Sequence, residues 1–327
     1  MTPRLWPAVT LVIAACTGTA GPPERVSVPP GATFGAVTDS LVAHRLVQSR
    51  LAFKLLARMR GVDRSVRSGV YEFPRDASAF TILRTLSAGK VVAARLTVPE
   101  GLTARQIAAL AAEHLSFPAD SLLAAVRDPA LADSVGLPHG SLEGFLRPET
   151  YIVPVDITAR QLVRLMAEGF RKSWEPGWTA RLDSMRLSET QLVTLASIVE
   201  GEARLDTERE TIAAVYLNRM RLGIPLQADP TVQYAIELAT GRKKVRLYQK
   251  DYGIASPYNT YLNPGLPPGP VNSPGRRSIE AALYPAIVPY LYFVASPDGH
   301  HAFARSYEEH LRNVARSRRA WAAEGNR

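Results

Sequence analysis

Two glutamates, Glu200 and Glu202, are the side chains most able to carry acid–base chemistry, and both end a stretch with helical spacing. Ser188 and Gln191 form a capping-box pattern that predicts the start of this helix. Residues 192, 195, 196, 199 and 203 are apolar and make one stripe, with Glu200 about 80° to one side and Glu202 about 80° to the other. Residues two apart do not share a helix face, so a two-carboxylate glycosidase pair is not expected.

We expect the Glu200 carboxyl at the border between the core and a cleft. Partial burial raises the pKa of a carboxylic acid and suits it to general acid catalysis near neutral pH. The alternative is that this glutamate is only the solvated flank of an amphipathic helix, which is the commoner case for such a stretch. The rest of the chain must decide between the two.

Composition limits the class of protein. The chain has 327 residues, 46% of them hydrophobic, which is enough for a large core, and its formal net charge is +9. That charge suits anionic partners or serves solubility alone. No zinc-finger or RNA-binding pattern is present, so nucleic acid is not favoured as a partner. Cys16 is the single cysteine, so no intrachain disulfide can form, and without an HExxH pattern we expect neither a metal nor another cofactor.

The N-terminus predicts export. Arg4 precedes an apolar run over residues 5–15 that is too short to cross a bilayer comfortably. Residues 13–16 resemble a bacterial lipobox, so Cys16 is a candidate lipid anchor within a signal-like segment, residues 1–16. The alternatives are an ordinary signal peptide or the misplaced start of a longer transmembrane anchor. Residues 17–25 are rich in Gly, Pro and Thr and are interpreted as a linker.

A strand-turn-helix pattern occurs twice and divides the rest of the chain into two parts. A β-branched strand, a Pro-x-Gly turn and a capping threonine occur at residues 26–33 and again at 96–103. Helices are predicted at 50–59 and 79–87, and strands at 69–73 and 91–98. These patterns predict an α+β fold, with a small N-terminal α+β module over residues 26–95 followed by a larger mixed α+β domain over 96–327.

Helical patterns dominate the first part of the larger domain. They cover 104–134, 158–173, 188–203 and 207–222, and Thr207 and Glu210 suggest a capping box for the last. After Gly223, stretches rich in Pro, Gly, Asn and Tyr predict ordered loops, which are common places for binding groups; simple long turns are the alternative. A strand at 291–295 and a final helix from Tyr307, frayed beyond Arg316, complete the prediction.

Six motifs, in order along the chain, carry a family resemblance. They are LEGFLRPETY at 142–151, ASIVEGE at 196–202, LQADPTV at 226–232, YNTY at 258–261, GLPPG at 265–269 and GHHAF at 299–303. Together they resemble the endolytic murein (peptidoglycan) transglycosylases, the YceG-like family, over about residues 26–315. The chain differs from that pattern at Arg147 and Glu149, at Leu311, and in its short N-terminal apolar run.

The resemblance implies a fold, a location and an activity. It implies that residues 26–95 are a LysM-like module and that residues 96–327 are a lytic transglycosylase domain. It implies an enzyme held at the inner membrane by its N-terminus, with the catalytic domain in the periplasm. Such an enzyme cuts nascent peptidoglycan glycan strands between N-acetylmuramic acid and N-acetylglucosamine and leaves 1,6-anhydro ends. Peptidoglycan synthases (penicillin-binding proteins) are implied partners.

The resemblance places the catalytic glutamate on Glu200. A lytic transglycosylase needs no water as nucleophile, because the muramic C6 hydroxyl attacks its own anomeric carbon, so one carboxyl can act as acid and then as base. His301 is interpreted as structural. Candidate sugar contacts, each with a turn-stabilising role as the alternative, are Glu143, Tyr151, Gln227, Asp229, Tyr258, Asn259 and Tyr261. A non-catalytic wall-binding protein and a water-using muramidase are the competing functions.

Overall fold

The computed structural model describes residues 22–137 and 140–324. The chain divides into two compact units, Met1–Ala93 and Ala94–Arg327, a division two residues before the predicted one. The signal-like segment with Cys16, and the linker as far as residue 21, lie outside the described residues. In the part of the chain that is described, no helix has both the length and the apolar character needed to cross a bilayer.

The first unit is a small α+β module. Its elements are β1 (Glu24–Val28), α1 (Phe34–Ala43), α2 (Arg50–Met59), β2 (Gly69–Phe73) and α3 (Ala79–Ser87). β1 and β2 pair antiparallel, with Val26 opposite Tyr71. Tyr71 and Phe73 are buried on one face of β2, as their alternation predicts. The predicted order is β-α-α-β-α-β, and its first five elements are confirmed, but the last predicted strand, at 91–98, is a strand over Ala93–Thr97 that pairs with Thr150–Pro154 instead. The relation to LysM modules stays a prediction.

The larger unit is mainly helical. Its helices are α4 (Ala104–His114), α5 (Ala119–Val126), α6 (Pro129–Ser134), α7 (Ala159–Ser173), α8 (Pro176–Met185), α9 (Glu189–Glu202), α10 (Arg209–Arg221), α11 (Asp229–Thr240), α12 (Arg276–Leu283) and α13 (Tyr307–Glu324). Strands β3 (Ala93–Thr97) and β4 (Thr150–Pro154) pair, and β5 (Tyr292–Ala295) pairs antiparallel with β6 (His301–Ala304). The predicted mixed α+β class is confirmed.

Helix α9 is the centre of this unit. The Ser188–Gln191 capping box is present, with a 3.2 Å bond from Gln191 N to the serine hydroxyl and a 2.8 Å bond from Ser188 N to Gln191 Oε1. The prediction of a single apolar stripe is wrong, because every residue from 192 to 199 is buried. Thr194 and Ser197 tolerate burial because their hydroxyls donate to carbonyls one turn back, at 2.7 Å each. Helices α8, α10, α11 and α12 surround α9.

Two helix predictions need correction. Residues 104–134 form three helices rather than one, because Pro118 and Pro129 each stand at a new helix start. The capping box proposed for Thr207 and Glu210 is wrong. Residues 206–208 form a 3-10 turn, and α10 begins at Arg209 without a side-chain cap.

Two further differences affect the site. The loop composition after Gly223 includes residues 226–234, but helix α11 begins at Asp229, because Pro230 in the first turn lacks only an N–H that would have no helical partner. Helix α13 continues well past Arg316, to Glu324. It is held against β5 by a 2.6 Å hydrogen bond from the Ser317 hydroxyl to the Ala295 carbonyl.

Candidate active site

The Glu200 carboxylate is enclosed by fixed partners. Its Oε2 accepts hydrogen bonds from Gly275 N at 3.0 Å and from the Ser278 hydroxyl at 2.8 Å. Arg209 Nη1 lies 3.2 Å from the same oxygen, and the exposed side-chain fractions are 8% for Glu200 and 10% for Arg209. The carboxylate thus joins the end of α9 to the starts of α10 and α12. These contacts fall on Oε2, whereas Oε1 accepts only a 3.4 Å bond from Arg209 Nη2, and Glu200 also lines a cavity of about 190 Å³.

A second carboxyl lies beside this cluster. A Cβ on Gly275 would overlap the Glu100 carboxyl group, so glycine is what lets the two segments approach. Burial, together with the nearby charge of Glu200, raises the pKa of Glu100. The Pro-Glu-Gly turn that carries Glu100 is bonded to the next segment, from Gly101 N to the Ser273 carbonyl at 2.8 Å.

The Glu202 carboxyl group has different neighbours. The Tyr216 hydroxyl donates to Glu202 Oε1 at 2.9 Å, and the backbone N–H of Asp229 also donates to this carboxylate. Burial, and secondarily the charge of Asp229, raises the pKa of Glu202 to about 7. The two glutamates contact separate sets of residues, as their i,i+2 spacing predicts. Burial thus makes the Glu202 carboxyl group suited to exchanging protons near neutral pH.

Glu202 opens onto a cavity of about 480 Å³. This volume is within the range of roughly 300–1,000 Å³ common for small-molecule sites. The lining combines aromatic rings with polar groups, a combination suited to sugars. It is made by Glu202, Tyr216, Arg219, Leu226, Gln227, Asp229, Tyr261, Tyr292, Phe293, Val294, Ala295, His301, Tyr307 and His310.

Three predicted sugar contacts meet at this cavity: Gln227, Asp229 and Tyr261. The Tyr261 hydroxyl donates to Asp229 Oδ1 at 2.7 Å. Gln227 has a left-handed backbone, with φ of 52°, and its Oε1 accepts from Arg219 Nη2 at 2.6 Å. These side chains are therefore held in place around Glu202.

Thr260 links the LQADPTV and YNTY motifs, which supply these contacts, through hydrogen bonds. Its hydroxyl accepts from Ala228 N at 3.0 Å and lies 2.9 Å from the Thr231 hydroxyl, and its carbonyl accepts from Gln227 N at 3.1 Å. Thr260 is 1% exposed, so these bonds are shielded from water. The start of α11 and the YNTY loop consequently form one rigid wall of the cavity.

Glu143 and Tyr258 line a different cavity, of about 200 Å³. The Glu143 carboxylate accepts from Ala104 N at 2.9 Å and from the Tyr234 hydroxyl at 3.1 Å. Burial raises the pKa of Glu143 to about 7. Its bond to Ala104 satisfies an N-terminal N–H of α4, which is a structural role.

Tyr151 and Asn259 line none of the cavities described above. The Tyr151 hydroxyl donates to the Arg147 carbonyl at 2.5 Å. Asn259 is fully buried, and its Nδ2 donates to the carbonyls of Tyr252 and Ile254 at 2.9 Å each. Its Oδ1 accepts from Tyr261 N at 3.0 Å, so the asparagine organises the loop that carries Tyr261.

Several polar residues of this cavity are not predicted as site residues, among them Tyr216, Arg219, Tyr292 and His310. Tyr216 and Arg219 are three residues apart on α10, a spacing that places both on one helix face. That pairing of a tyrosine with an arginine in an apolar stretch was the available signal. Tyr292 and His310 stack at 5.3 Å across β5 and α13, and only the tertiary fold brings them together.

The sequence predicts a structural role for His301, and its contacts agree with that role. Its Nδ1 lies 2.6 Å from Glu208 Oε2, and its ring packs edge-on against Phe293. Burial opposes ionisation of Glu208, but hydrogen bonds from His301 and His300 outweigh it and hold the Glu208 pKa below its usual value. Within the described residues, no group of three or more His, Cys, Asp or Glu side chains could hold a metal ion.

Fold and site together define a class of protein. The model of the YceG-like family matches residues 26–316. The chain belongs to the YceG-like family.

Two relatives of this chain are named for an enzymatic activity. The endolytic murein transglycosylase of Bacillus subtilis is 31% identical over 303 residues, which is 88% of this chain and 82% of the relative. The Streptococcus pneumoniae protein of the same name is also 31% identical and matches 89% of this chain, which spans only 57% of that relative. The crystal structure of a YceG-like protein from Listeria monocytogenes has a TM-score of 0.61 at 30% identity, covering 89% of this chain and 98% of that one.

Proposed function

We propose that this chain is an endolytic murein transglycosylase, a lyase that cuts peptidoglycan glycan strands internally. Family membership and the names of the relatives support this activity. The single observation that carries the chemistry is the Glu202 carboxyl group, whose pKa of about 7 and position on a cavity of about 480 Å³ suit a general acid.

The proposed reaction is one transfer within the muramic residue. Glu202 protonates the leaving glycosidic oxygen of N-acetylglucosamine as the bond to the muramic C1 breaks. The resulting carboxylate then accepts the C6 hydroxyl proton as that oxygen bonds to C1, which forms the 1,6-anhydro end. No water is consumed, so a second carboxylate is not required. Hydrogen bonds from the Tyr216 hydroxyl and the Asp229 N–H stabilise the negative charge of Glu202 between the two proton transfers.

Glu202 replaces Glu200 in this proposal for a geometric reason. The Oε2 atom of Glu200 is engaged by Arg209, Ser278 and Gly275, which favours a role in positioning α10 and α12. Glu202 instead faces the cavity that contains three of the predicted sugar contacts. The assignment of Glu200 from family resemblance remains the alternative.

A matched pair of substitutions tests the assignment. Purified glycan strands are digested with wild type, Glu202→Gln and Glu200→Gln, and fragments are counted by chromatography. We expect a folded Glu202→Gln protein with activity reduced about 10²-fold or more. We expect Glu200→Gln to retain measurable cleavage but to lower thermal stability. Full activity in Glu202→Gln, with none in folded Glu200→Gln, would return the acid–base role to Glu200.

A hydrolytic muramidase is the second candidate, and one observation favours it. Asp229 lies close enough to Glu202 to raise its pKa, so a second carboxylate is available to activate water. Against this, the Asp229 carboxylate is already bonded by the hydroxyls of Tyr261 and Tyr252. Mass spectrometry separates the two, because an anhydro end is lighter than a reducing end by one water. A reducing end as the primary product would establish the muramidase.

A non-catalytic wall-binding protein is the remaining alternative. It would bind glycan strands through the LysM-like module without shortening them. Strand binding without any fragment release, under conditions where the protein is folded, would support it.

Location and partners belong to the same proposal. We place the catalytic unit in the periplasm, with the chain held at the inner membrane through its N-terminus and lipid on Cys16 as the candidate attachment. Penicillin-binding proteins are the proposed partners, since their product is the nascent strand. Radiolabelled palmitate incorporation into wild type, but not into Cys16→Ser, would test the lipid anchor.

A further inference from the structure

Helix α2 carries apolar side chains on two faces. Phe53 and Ala57 are buried in the core of the first unit. Leu51, Leu55 and Met59 follow one another at intervals of four residues, which places them together on another side of the helix. They are 82%, 62% and 78% exposed. A surface helix needs one apolar stripe to pack, so folding of the first unit does not account for the second stripe.

Basic and aromatic side chains border this exposed stripe. Arg58 and Arg60 are exposed at the C-terminal end of α2, and neither forms an ion pair with a carboxylate among the described residues. The Arg60 guanidinium lies 4.0 Å from the ring centre of Phe80, which is 47% exposed in the first turn of α3. This ring therefore lies near the end of the stripe. We define the α2 face as Leu51, Leu55, Arg58, Met59, Arg60 and Phe80.

The charge around the α2 face favours an anionic surface as its partner. Residues 22–93 contain eleven Lys and Arg side chains against five Asp and Glu, and α2 itself contains no acidic residue. Helices with an exposed apolar stripe bordered by Lys and Arg bind at the interface of lipid bilayers. There the apolar side chains reach the boundary of the acyl chains, and the cations contact anionic headgroups.

The chain before the first unit limits how far this unit can lie from a membrane. Glu24, where β1 begins, is the eighth residue after Cys16. Eight residues span at most about 29 Å. A unit of roughly 70 residues has a radius of gyration of about 11 Å. With Cys16 attached to the membrane, as proposed above, the α2 face is within reach of the lipid surface, so even a weak interaction is sufficient.

We infer that the α2 face binds the first unit to the surface of an anionic lipid bilayer. Leu51, Leu55 and Met59 insert to the acyl boundary, and Arg58 and Arg60 contact the headgroup phosphates. This inference rests on the proposed location at the inner membrane and not on the proposed reaction. It gives the first unit a membrane-binding role that is separate from the N-terminal attachment.

Other occupants fit the α2 face less well. In a two-fold dimer both copies would use the same patch, so Arg58 and Arg60 would approach the arginines of the second copy. A glycan strand needs hydrogen-bond acceptors as well as donors, but the α2 face has no hydroxyl, amide or carboxyl side chain. An anionic bilayer accommodates the apolar stripe and its cations together.

A single fluorescent probe in the full-length chain tests the inference. Cys16→Ser removes the only cysteine and keeps the apolar run at residues 5–15, so Leu55→Cys in that background gives one labelling position. The label is a nitrobenzoxadiazole dye, which brightens in apolar surroundings. We expect the dye to brighten on vesicles of phosphatidylglycerol and phosphatidylcholine and to be quenched by nitroxides on their acyl chains. Vesicles of phosphatidylcholine alone should give weaker quenching.

Glu72→Cys in the same background is the matched control. Glu72 is exposed on β2, on the side of the strand opposite buried Tyr71 and Phe73. A dye at this position should stay unquenched on the same vesicles. Sedimentation with the vesicles measures independently how much of each labelled chain is bound.

Charge and apolar character are tested separately, with the dye at position 55. Arg58→Gln/Arg60→Gln should raise about tenfold the concentration of anionic lipid that gives half-maximal quenching. Met59→Ser should raise it about fivefold on both kinds of vesicle. Leu222→Ser, at a 64% exposed apolar position of the larger unit, should change nothing. None of these changes should alter the rate at which soluble glycan strands are cut.

Three results would overturn the inference. One is a dye at position 55 that stays unquenched although the chain sediments with the vesicles. Another is brightening by soluble glycan strands without lipid, which would make the α2 face a wall-binding surface. The third is brightening that depends on protein concentration alone, which would assign the face to a second copy. A chain that is quenched on vesicles but cuts no strands would disprove the proposed reaction and leave this inference standing.

Discussion

Glu200 and Arg209 form a buried ion pair that connects the last turn of α9 to the first turn of α10. The 3.2 Å contact is supported by bonds from Ser278 to Glu200 and from Arg209 to the Ser278 hydroxyl. Arg209 also reaches Asp206 at 3.0 Å. Because Glu202 follows two residues after Glu200, this pair sets the position of the proposed acid.

Removing one partner of the Glu200–Arg209 ion pair should destabilise the protein strongly. Arg209→Met leaves the Glu200 carboxylate buried without its counter-ion, and we expect a loss of about 3 kcal/mol in the free energy of unfolding by urea. The double variant Glu200→Gln/Arg209→Met should lose less than the sum of the two single changes, because neither charge is then left alone. Additive losses would show that the pair is not coupled.

Tyr216→Phe should change the pH dependence of cleavage. The Tyr216 hydroxyl lowers the pKa of Glu202, so its removal should raise that pKa above about 7. A general acid works only when protonated, so activity is lost as pH rises through its pKa. The alkaline limb of the kcat/KM profile should therefore move up by about one pH unit, the worth of one charge-assisted bond.

Only the limb of the pH profile that reflects ionisation of Glu202 should shift in Tyr216→Phe. Phenylalanine at position 216 keeps the ring contact with Phe293 and removes only the hydroxyl. A profile that falls in rate at every pH without shifting would place the ionisation on another group.

Local signals in the sequence were enough for much of the fold. The Ser188–Gln191 capping box and the capping threonine at residue 103 involve close neighbours in the chain, so these two helix starts can be predicted from the sequence. The burial of Tyr71 and Phe73 follows from strand alternation alone. Such features depend on neighbours in the chain and not on the final packing.

The arrangement of the site could not be predicted in this way. Glu200 and Glu202 look equivalent on a helical wheel, and what separates them is that Ser278 approaches one and Asp229 the other. Tyr258 and Tyr261 are in one motif but line different cavities, because an irregular loop has no period that fixes side-chain direction. Only long-range packing determines these outcomes.

Glu143 makes stability depend on pH. Its pKa of about 7 in the folded state exceeds the ordinary 4.5, so the folded protein holds this proton more tightly. The associated stability is full below about pH 4.5 and is lost as pH rises through about 7, by roughly 3 kcal/mol at most. Glu202 acts in the same direction.

Urea unfolding at several pH values between 5 and 8 would measure this effect. The wild-type free energy of unfolding should fall across that range, and Glu143→Gln should remove part of the fall. Glu113→Gln, at an exposed position on α4, serves as the control and should leave the slope unchanged. An identical slope in Glu143→Gln would mean that this carboxyl stays ionised in the fold.

Gly144→Ala should push the segment around Gly144 away from Pro270. Gly144 has φ of 82°, and an added Cβ would overlap the ring of Pro270, so both the backbone and the packing resist a side chain. We expect a loss of about 2 kcal/mol or more in the free energy of unfolding, since overpacking adds to backbone strain. Gly136→Ala isolates the strain, because Gly136 has φ of 65° with nothing within 4 Å of an added Cβ. If both variants lose the same stability, the contact between Gly144 and Pro270 contributes nothing beyond backbone conformation.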